Sequence, residues 1–232
     1  MDRLDFTRST IFLATAGTLA LTGCDNAMNN MKQKSIVIPQ FSRDKLHTQL
    51  DRLQDAFEEK GCHVSKNLLP AIQEQELKIR CGWFPAELPP ELISLYAWRG
   101  GHADDDPEVP SFWFRDCIFS SPEWAEKEYK SMMGSYGACP EDHELLKYSF
   151  PFAAFNGGWL IFPCHGQKLD KRFEHPVISV MQGIDVHYYS MQLMVDTCVD
   201  WVSSMQYRPE YGLPEKVELE IWKKHNPGIF EK

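Results

Sequence analysis

Two apolar runs, Phe152–Phe155 and Trp159–Phe162, are separated by the short stretch Asn156-Gly157-Gly158. Asn-Gly takes up the positive backbone angles of a tight hairpin turn, whose twist matches that of paired strands, so this spacing predicts an antiparallel hairpin. A second pair of short runs, Val177–Met181 and Val186–Tyr189, flanks Gln182-Gly183 in the same way. An antiparallel sheet is therefore the expected centre of the fold.

Helices are expected on both sides of these strands in the chain. Ser42 is placed to cap a helix whose apolar positions Leu46, Leu50, Leu53 and Phe57 form one stripe, with Gly61 as its stop. Leu77, Ile79, Cys81 and Trp83 alternate with Lys78, Arg80 and Gly82, a pattern that predicts a half-buried strand. Leu88-Pro89-Pro90-Glu91 opens a second helix, because proline in a first turn gives up only an N–H that lacks a partner anyway. Leu92, Leu95 and Tyr96 would face inward, and Gly100-Gly101 would end it. Phe112, Trp113 and Phe114 read as an extended aromatic piece. Ser121-Pro122-Glu123 starts a further helix through Trp124, Tyr129, Met132 and Met133, with Gly134 as its stop. Leu193, Val195, Cys198, Val199, Trp201 and Val202 belong to a closing helix. Helices, then strands, then a helix define an α+β domain.

The first two dozen residues bear on where such a domain works. Arg3 and Arg8 precede an apolar run from Ile11 to Leu21, which ends in Leu21-Thr22-Gly23-Cys24. The run is shorter than the roughly 20 residues that span a bilayer. It has the length of a signal-peptide core with small residues at the cleavage point. The ending resembles the lipobox of bacterial lipoproteins, which implies cleavage after residue 23 and acylation of Cys24. Several acyl chains, at about 0.8 kcal/mol per buried methylene, would anchor the chain firmly. Asp25 follows directly, a residue that favours inner-membrane retention in enterobacterial lipoproteins. The expected organisation is a signal peptide at 1–23, a lipidated cysteine and polar tether at 24–40, and one domain at 41–232.

The chain of 232 residues carries a net charge of −9. Such an acidic balance argues against nucleic acid, whose phosphates need Lys and Arg, and suits a basic protein partner. Of seven cysteines, Cys62, Cys81, Cys117, Cys139, Cys164 and Cys198 remain beside Cys24. One or two bridges are expected among them in an oxidising compartment, although small buried thiols are the plainer reading of such wide spacings.

Several of these segments, in this order, resemble the SUKH superfamily in its Smi/Knr branch, over about Phe41 to Met205. Leu88-Pro89-Pro90-Glu91-Leu92 through Leu95-Tyr96 and Arg99-Gly100-Gly101 is similar to the family's Leu-Pro helix and glycine turn, with Arg99 in a place where the family often has Asn. Phe119-Ser120-Ser121-Pro122-Glu123-Trp124 through Glu128-Tyr129 resembles its strand feeding an acidic helix. Phe150-Pro151-Phe152-Ala153 with Asn156-Gly157-Gly158 resembles its proline-containing strand and turn. Val177-Ile178 and Ser190–Val202 resemble its last strands and closing helix. The resemblance implies an α+β fold with a twisted sheet, mostly antiparallel, and flanking helices. It also implies a role without catalysis or cofactor: an immunity protein that binds and neutralises a bacterial toxin.

Catalytic motifs point the same way. No Gly-x-Ser-x-Gly elbow, Walker loop, His-Glu-x-x-His or Cys-x-x-Cys occurs in the sequence. Asp104, Asp105, Asp106 and Glu108 lack the central Gly and distal Glu of a calcium loop. They read as a solvated loop or as a contact patch for a basic toxin, where charge speeds encounter and excludes wrong partners. Trp98, Trp113 and Trp124 are candidate interface anchors, although their helical and strand spacing is more often that of core residues. The alternatives are a scaffolding or cell-wall-related lipoprotein, and an envelope hydrolase assembled from His63, His102, His165 and His187.

Overall fold

In a computed structural model of the chain, the described residues are 38, 40–103, 114, 117–136, 140–155, 158–164, 175–181, 183–208 and 213–229. The expected signal peptide, Cys24 and nearly all of the tether lie outside them. Ile36–Lys232 forms one unit.

Helix α1 (Arg43–Glu59) is built as its sequence predicts. The Ser42 hydroxyl accepts the Lys45 N–H, Leu46, Leu50, Leu53, Ala56 and Phe57 form the buried stripe, and Gly61 closes the helix at φ +78°. Helix α2 (Glu74–Arg80) is a correction, since a strand is expected there. Leu77 is fully buried and Cys81 5% exposed, while Ile79 is 73% exposed. That is a helical and not an alternating pattern. Acids in the first turn and bases in the last complement the helix dipole. Glu74–Lys78 and Glu76–Arg80 add ion pairs one turn apart.

Helix α3 (Pro90–Trp98) begins with proline in its first turn and buries Leu92, Leu95, Tyr96 and Trp98. The two glycines after it are required by close packing. A Cβ on Gly100 would stand 2.6 Å from the Pro70 carbonyl oxygen, and one on Gly101, at φ +92°, 2.5 Å from the Ser121 nitrogen. Only glycine lets these backbones approach so closely.

Five strands follow in an antiparallel meander of order β1-β2-β3-β4-β5. They are β1 (Ile118–Phe119), β2 (Ser149–Phe155), β3 (Gly158–Pro163), β4 (Val177–Val180) and β5 (Ile184–Tyr188). Helices α4 (Pro122–Tyr136) and α5 (Pro140–Lys147) lie between β1 and β2 in the chain. Helices α6 (Met191–Ser203) and α7 (Glu215–His225) follow β5. The fold is thus α+β with an antiparallel sheet. The expected stop at Gly134 is corrected: α4 continues to Tyr136, with open space around the position of a Gly134 Cβ. Pro151 lies within β2 without cost to the sheet. Strand β1 pairs only with Ala153 and Ala154, so no strand there requires a proline N–H, and the register shifts just after it.

Both faces of the sheet are covered. Phe150, Phe152, Leu160, Phe162 and Val177 join the core made with α1, α3 and α6. Ala154, Trp159, Ile161, Ile178 and Val180 pack on Met132, Leu145 and Leu146 of α4 and α5. Every residue of β3 is consequently buried, which is why it reads as a continuous apolar run. Lys60 after α1 reaches the Ser204 carbonyl after α6 at 2.9 Å, joining the ends of these two packed helices. Cys81 and Cys164 are free thiols, so the expected bridges do not include them. Cys62, Cys117 and Cys198 are small apolar members of the core, and Cys139 lies outside the described residues.

Candidate functional site

The acidic residues Asp104, Asp105, Asp106 and Glu108 lie outside the described residues, as do Phe112 and Trp113. Both flanks of their segment are described. On one side the His102 N–H donates to the Phe119 carbonyl at 2.8 Å and the Ala103 N–H to that of Asn67 at 2.7 Å. On the other, Phe114 and Cys117 exchange backbone bonds of 3.2 and 3.0 Å. The fully buried Phe114 ring packs on Phe119 and Phe152. His102 and Ala103 on one flank and Phe114 and Cys117 on the other are therefore fixed to the described fold.

Beside the second flank lies a cleft lined by Phe114, Cys117, Ser179, Met181 and His187, with a volume of about 20 Å³, room for about one water molecule. Met181 at its rim is 46% exposed. Asp185, exposed, stands directly opposite Ser179 in the β4–β5 pairing and so shares its face of the sheet.

The remaining motif residues have structural places. Leu88, Pro89 and Pro90 set the start of α3, Gly158 starts β3, and Asn156 and Gly157 lie outside the described residues. Trp98 is buried, its indole donating to Asp51 at 2.7 Å. Trp124 donates to Glu128 at 2.8 Å.

The histidines considered for catalysis occupy separate elements. His63 Nδ1 lies 2.8 Å from Glu58 Oε2 ahead of a short 3-10 turn, and Ser65 Oγ donates to the other oxygen of the same carboxylate. Serine, histidine and glutamate meet here in the wrong order for nucleophilic catalysis, because the carboxylate and not the imidazole takes the hydroxyl proton's bond. Those two bonds, with Ser65 the larger influence, hold the Glu58 carboxyl below its ordinary pKa. His102 is buried after α3. His187 packs on Tyr188 and Trp222, and its carbonyl accepts the Trp222 indole at 3.1 Å. His165 lies outside the described residues.

Two groups escape the sequence reading. At the α6–α7 junction Asp200 accepts from Lys224 at 2.6 Å and from His225 at 2.8 Å. Its carboxyl is lowered by those bonds against the opposing effect of burial. Asp196, one turn earlier, has a buried oxygen without a donor and is raised by burial. Acid pairs with divergent pKa values mark many active sites. This one instead ties down α7, whose Trp222 and Asn226 are buried.

The second group centres on Glu91 of α3, 8% exposed, whose Oε2 is buried without a hydrogen-bond partner. Charged side chains are almost never this buried unless paired. A signal was available in the sequence: Glu91, Leu95 and Trp98 lie at positions i, i+4 and i+7, one stripe of the helix. Burial is the main cause that pushes the Cys164 thiol up to about 12, and the Glu91 charge adds to it.

Among the described residues, no three His, Cys, Asp or Glu side chains group to hold a metal ion, and no helix is long and apolar enough to cross a membrane. The described residues form an α+β domain with an antiparallel sheet. No protein-family model matches the chain, and no curated protein matches it.

Proposed function

We propose that the chain is a non-catalytic binding protein of the SUKH type, tethered to the bacterial envelope through a lipid on Cys24, which neutralises a basic toxin by direct contact. The observation that carries this reading is the fixing of the residues that flank the acidic segment in the sequence. Its two flanks are fixed by backbone bonds and buried aromatic packing beside Met181 and Asp185. The net charge of −9 favours rapid encounter with a cationic partner. The Pro90–Trp98 helix with its double glycine, the antiparallel meander and the closing helix α6 support the SUKH assignment.

The test is a pull-down with the product of the neighbouring reading frame. A secreted effector bound below micromolar Kd, about −8 kcal/mol or stronger, is the expected result. An adjacent frame that encodes no effector, with no binding at that level, removes the toxin reading. The mass of the mature N-terminus tests the tether separately: acyl mass on Cys24 is expected, and an intact initiator methionine overturns it.

A further inference from the structure

We infer that the outer edge of β5, at Ile184–Val186, receives one extended strand of a polypeptide partner, which sets a lysine or arginine opposite Asp185. This deepens the binding reading above and rests on it. Strand β5 ends the sheet and pairs with β4 alone. An edge strand presents a row of N–H and C=O groups at strand spacing, and the chemical complement of such a row is another polypeptide backbone. The two edges of this sheet differ. Beside β1, the Phe119 carbonyl already takes the His102 N–H, whereas among the described residues no backbone bond reaches the outer side of Ile184–Val186.

Named groups limit the open stretch at both ends. At one end the turn closes β5 onto β4, where the Met181 N–H donates to the Gly183 carbonyl at 3.1 Å. At the other, α7 has already taken the main chain. The Trp222 indole donates to the His187 carbonyl at 3.1 Å, and the Asn226 side-chain oxygen accepts the Tyr189 N–H at 3.2 Å. Ile184, Asp185 and Val186 remain between these two closures.

The side chains define the occupant further. Ile184 and Val186 stand opposite Val180 and Ile178, and so share the sheet face that α4 and α5 cover. Both are half-buried, and an added strand would cover them with apolar residues at its own alternate positions. Asp185 lies between them on the other face. It is exposed and has no ion pair among the described residues. The residue opposite it on an added strand shares that face, where unlike charges attract and like charges repel. A second copy of this chain is a poor occupant for that reason. The antiparallel self-pairing that uses all three residues is centred on Asp185 and sets two carboxylates directly opposite each other. The fitting strand therefore reads apolar, basic, apolar and comes from a different protein.

The test titrates the isotope-labelled full chain and follows the backbone amide resonances of Ile184, Asp185 and Val186. The probe is a disulfide-closed hairpin peptide whose edge strand reads Thr-Val-Lys-Val-Thr, since a closed hairpin is already extended and loses less freedom on binding. It should shift these amides saturably. Replacing its lysine by glutamate should weaken binding about fivefold, and Asp185→Lys, a change at an exposed position, should reverse that preference. Methylating the outward amides of the peptide strand leaves its side chains intact and should abolish binding. Binding that survives methylation, a lysine preference that Asp185→Lys leaves unchanged, or no saturable shift at these amides each overturns the inference. So does a concentration-dependent dimer of the chain alone whose shifts fall on the same three amides, because a second copy then fills the edge. None of these probes is a toxin, so a failed pull-down with a successful titration strikes only the toxin reading, and the reverse strikes only the role of the β5 edge.

Discussion

Glu128 on α4 accepts the indole N–H of Trp159 from β3 at 2.6 Å, while its second oxygen takes that of Trp124 at 2.8 Å. One carboxylate therefore fastens a helix to the central strand of the sheet. Trp159 is 2% exposed and packs edge-on against Tyr136, so water cannot replace the lost acceptor. Hydrogen bonds to charged groups contribute about 1.5–3 kcal/mol each. Glu128→Ala should lower unfolding free energy by about 2–4 kcal/mol, with Glu128→Gln between it and the wild type. Urea denaturation monitored by tryptophan fluorescence measures both.

The glycines after α3 and the glycine within α4 should respond in opposite directions. Gly101→Ala combines a left-handed backbone with a Cβ 2.5 Å from the Ser121 nitrogen, and both neighbours are backbone that cannot rotate away. It should cost more than about 2 kcal/mol, with Gly100→Ala close behind. Gly134→Ala meets nothing within 4 Å and should stabilise α4 by about 0.5–1 kcal/mol. Thermal melts of the three variants decide whether Gly100-Gly101 is a packing device.

That contrast also shows what was legible in the sequence. Helix α1, helix α3 with its glycine turn, and both hairpins follow from local chemistry: a serine cap, a proline at a helix start, and glycine-containing breaks between short apolar runs. Helix α2 is not legible because Leu77, Ile79, Cys81 and Trp83 fit a two-residue period, and only the Glu74–Lys78 and Glu76–Arg80 spacing contradicts it. Strand β1 is two residues long and exists through its pairing with Ala153 and Ala154, a non-local fact. Helix α7 is held by Asn226, which bonds Thr197 and receives the Tyr189 N–H, again across distant chain. The acidic segment was visible as composition. The isolation of Glu91 was not, because burial without a partner is a property of the packed molecule.

Arg80 and Glu123 should give the protein an acid-sensitive link between α2 and α4. The guanidinium donates to both carboxylate oxygens, at 2.7 and 2.6 Å. These bonds hold the Glu123 carboxyl below its ordinary 4.5. A depressed folded pKa means stability that is fully present above 4.5 and is lost as pH falls through the lower folded value. The stability difference between wild type and Glu123→Gln should therefore be constant near neutrality and close below pH 4.5. Glu123 is 56% exposed, so added salt should narrow the neutral-pH difference as well.

Asp196 should behave with the opposite sign. Burial raises its carboxyl above the ordinary 3.8, and the like charge of Asp200 adds to this against the pull of His225, Arg52 and Lys224. A raised folded pKa makes the ionised form a burden that is complete above that pKa and absent below 3.8. Asp196→Asn should raise the melting temperature at pH 7 and leave it unchanged at pH 3. Calorimetry at the two pH values checks this, and an increase at both would assign the effect to packing.

The thiols report on Glu91 from a different direction. Burial is the main cause that pushes Cys81 and Cys164 up to about 12, and alkylation needs the thiolate. At pH 8 only about one thiol in ten thousand is then ionised, against about one in ten for an ordinary 9, so native alkylation should slow by about a thousandfold. Iodoacetamide should modify both cysteines in denaturant and neither in the folded protein over the same interval, as read by peptide mass. Glu91 adds to the rise at Cys164, whereas Glu123 is the carboxylate that acts on Cys81. Glu91→Gln should therefore speed alkylation at Cys164 and leave Cys81 unchanged. A rise at both sites would mean a general loosening of the fold, and melting curves of the same variant separate that from the removal of a charge.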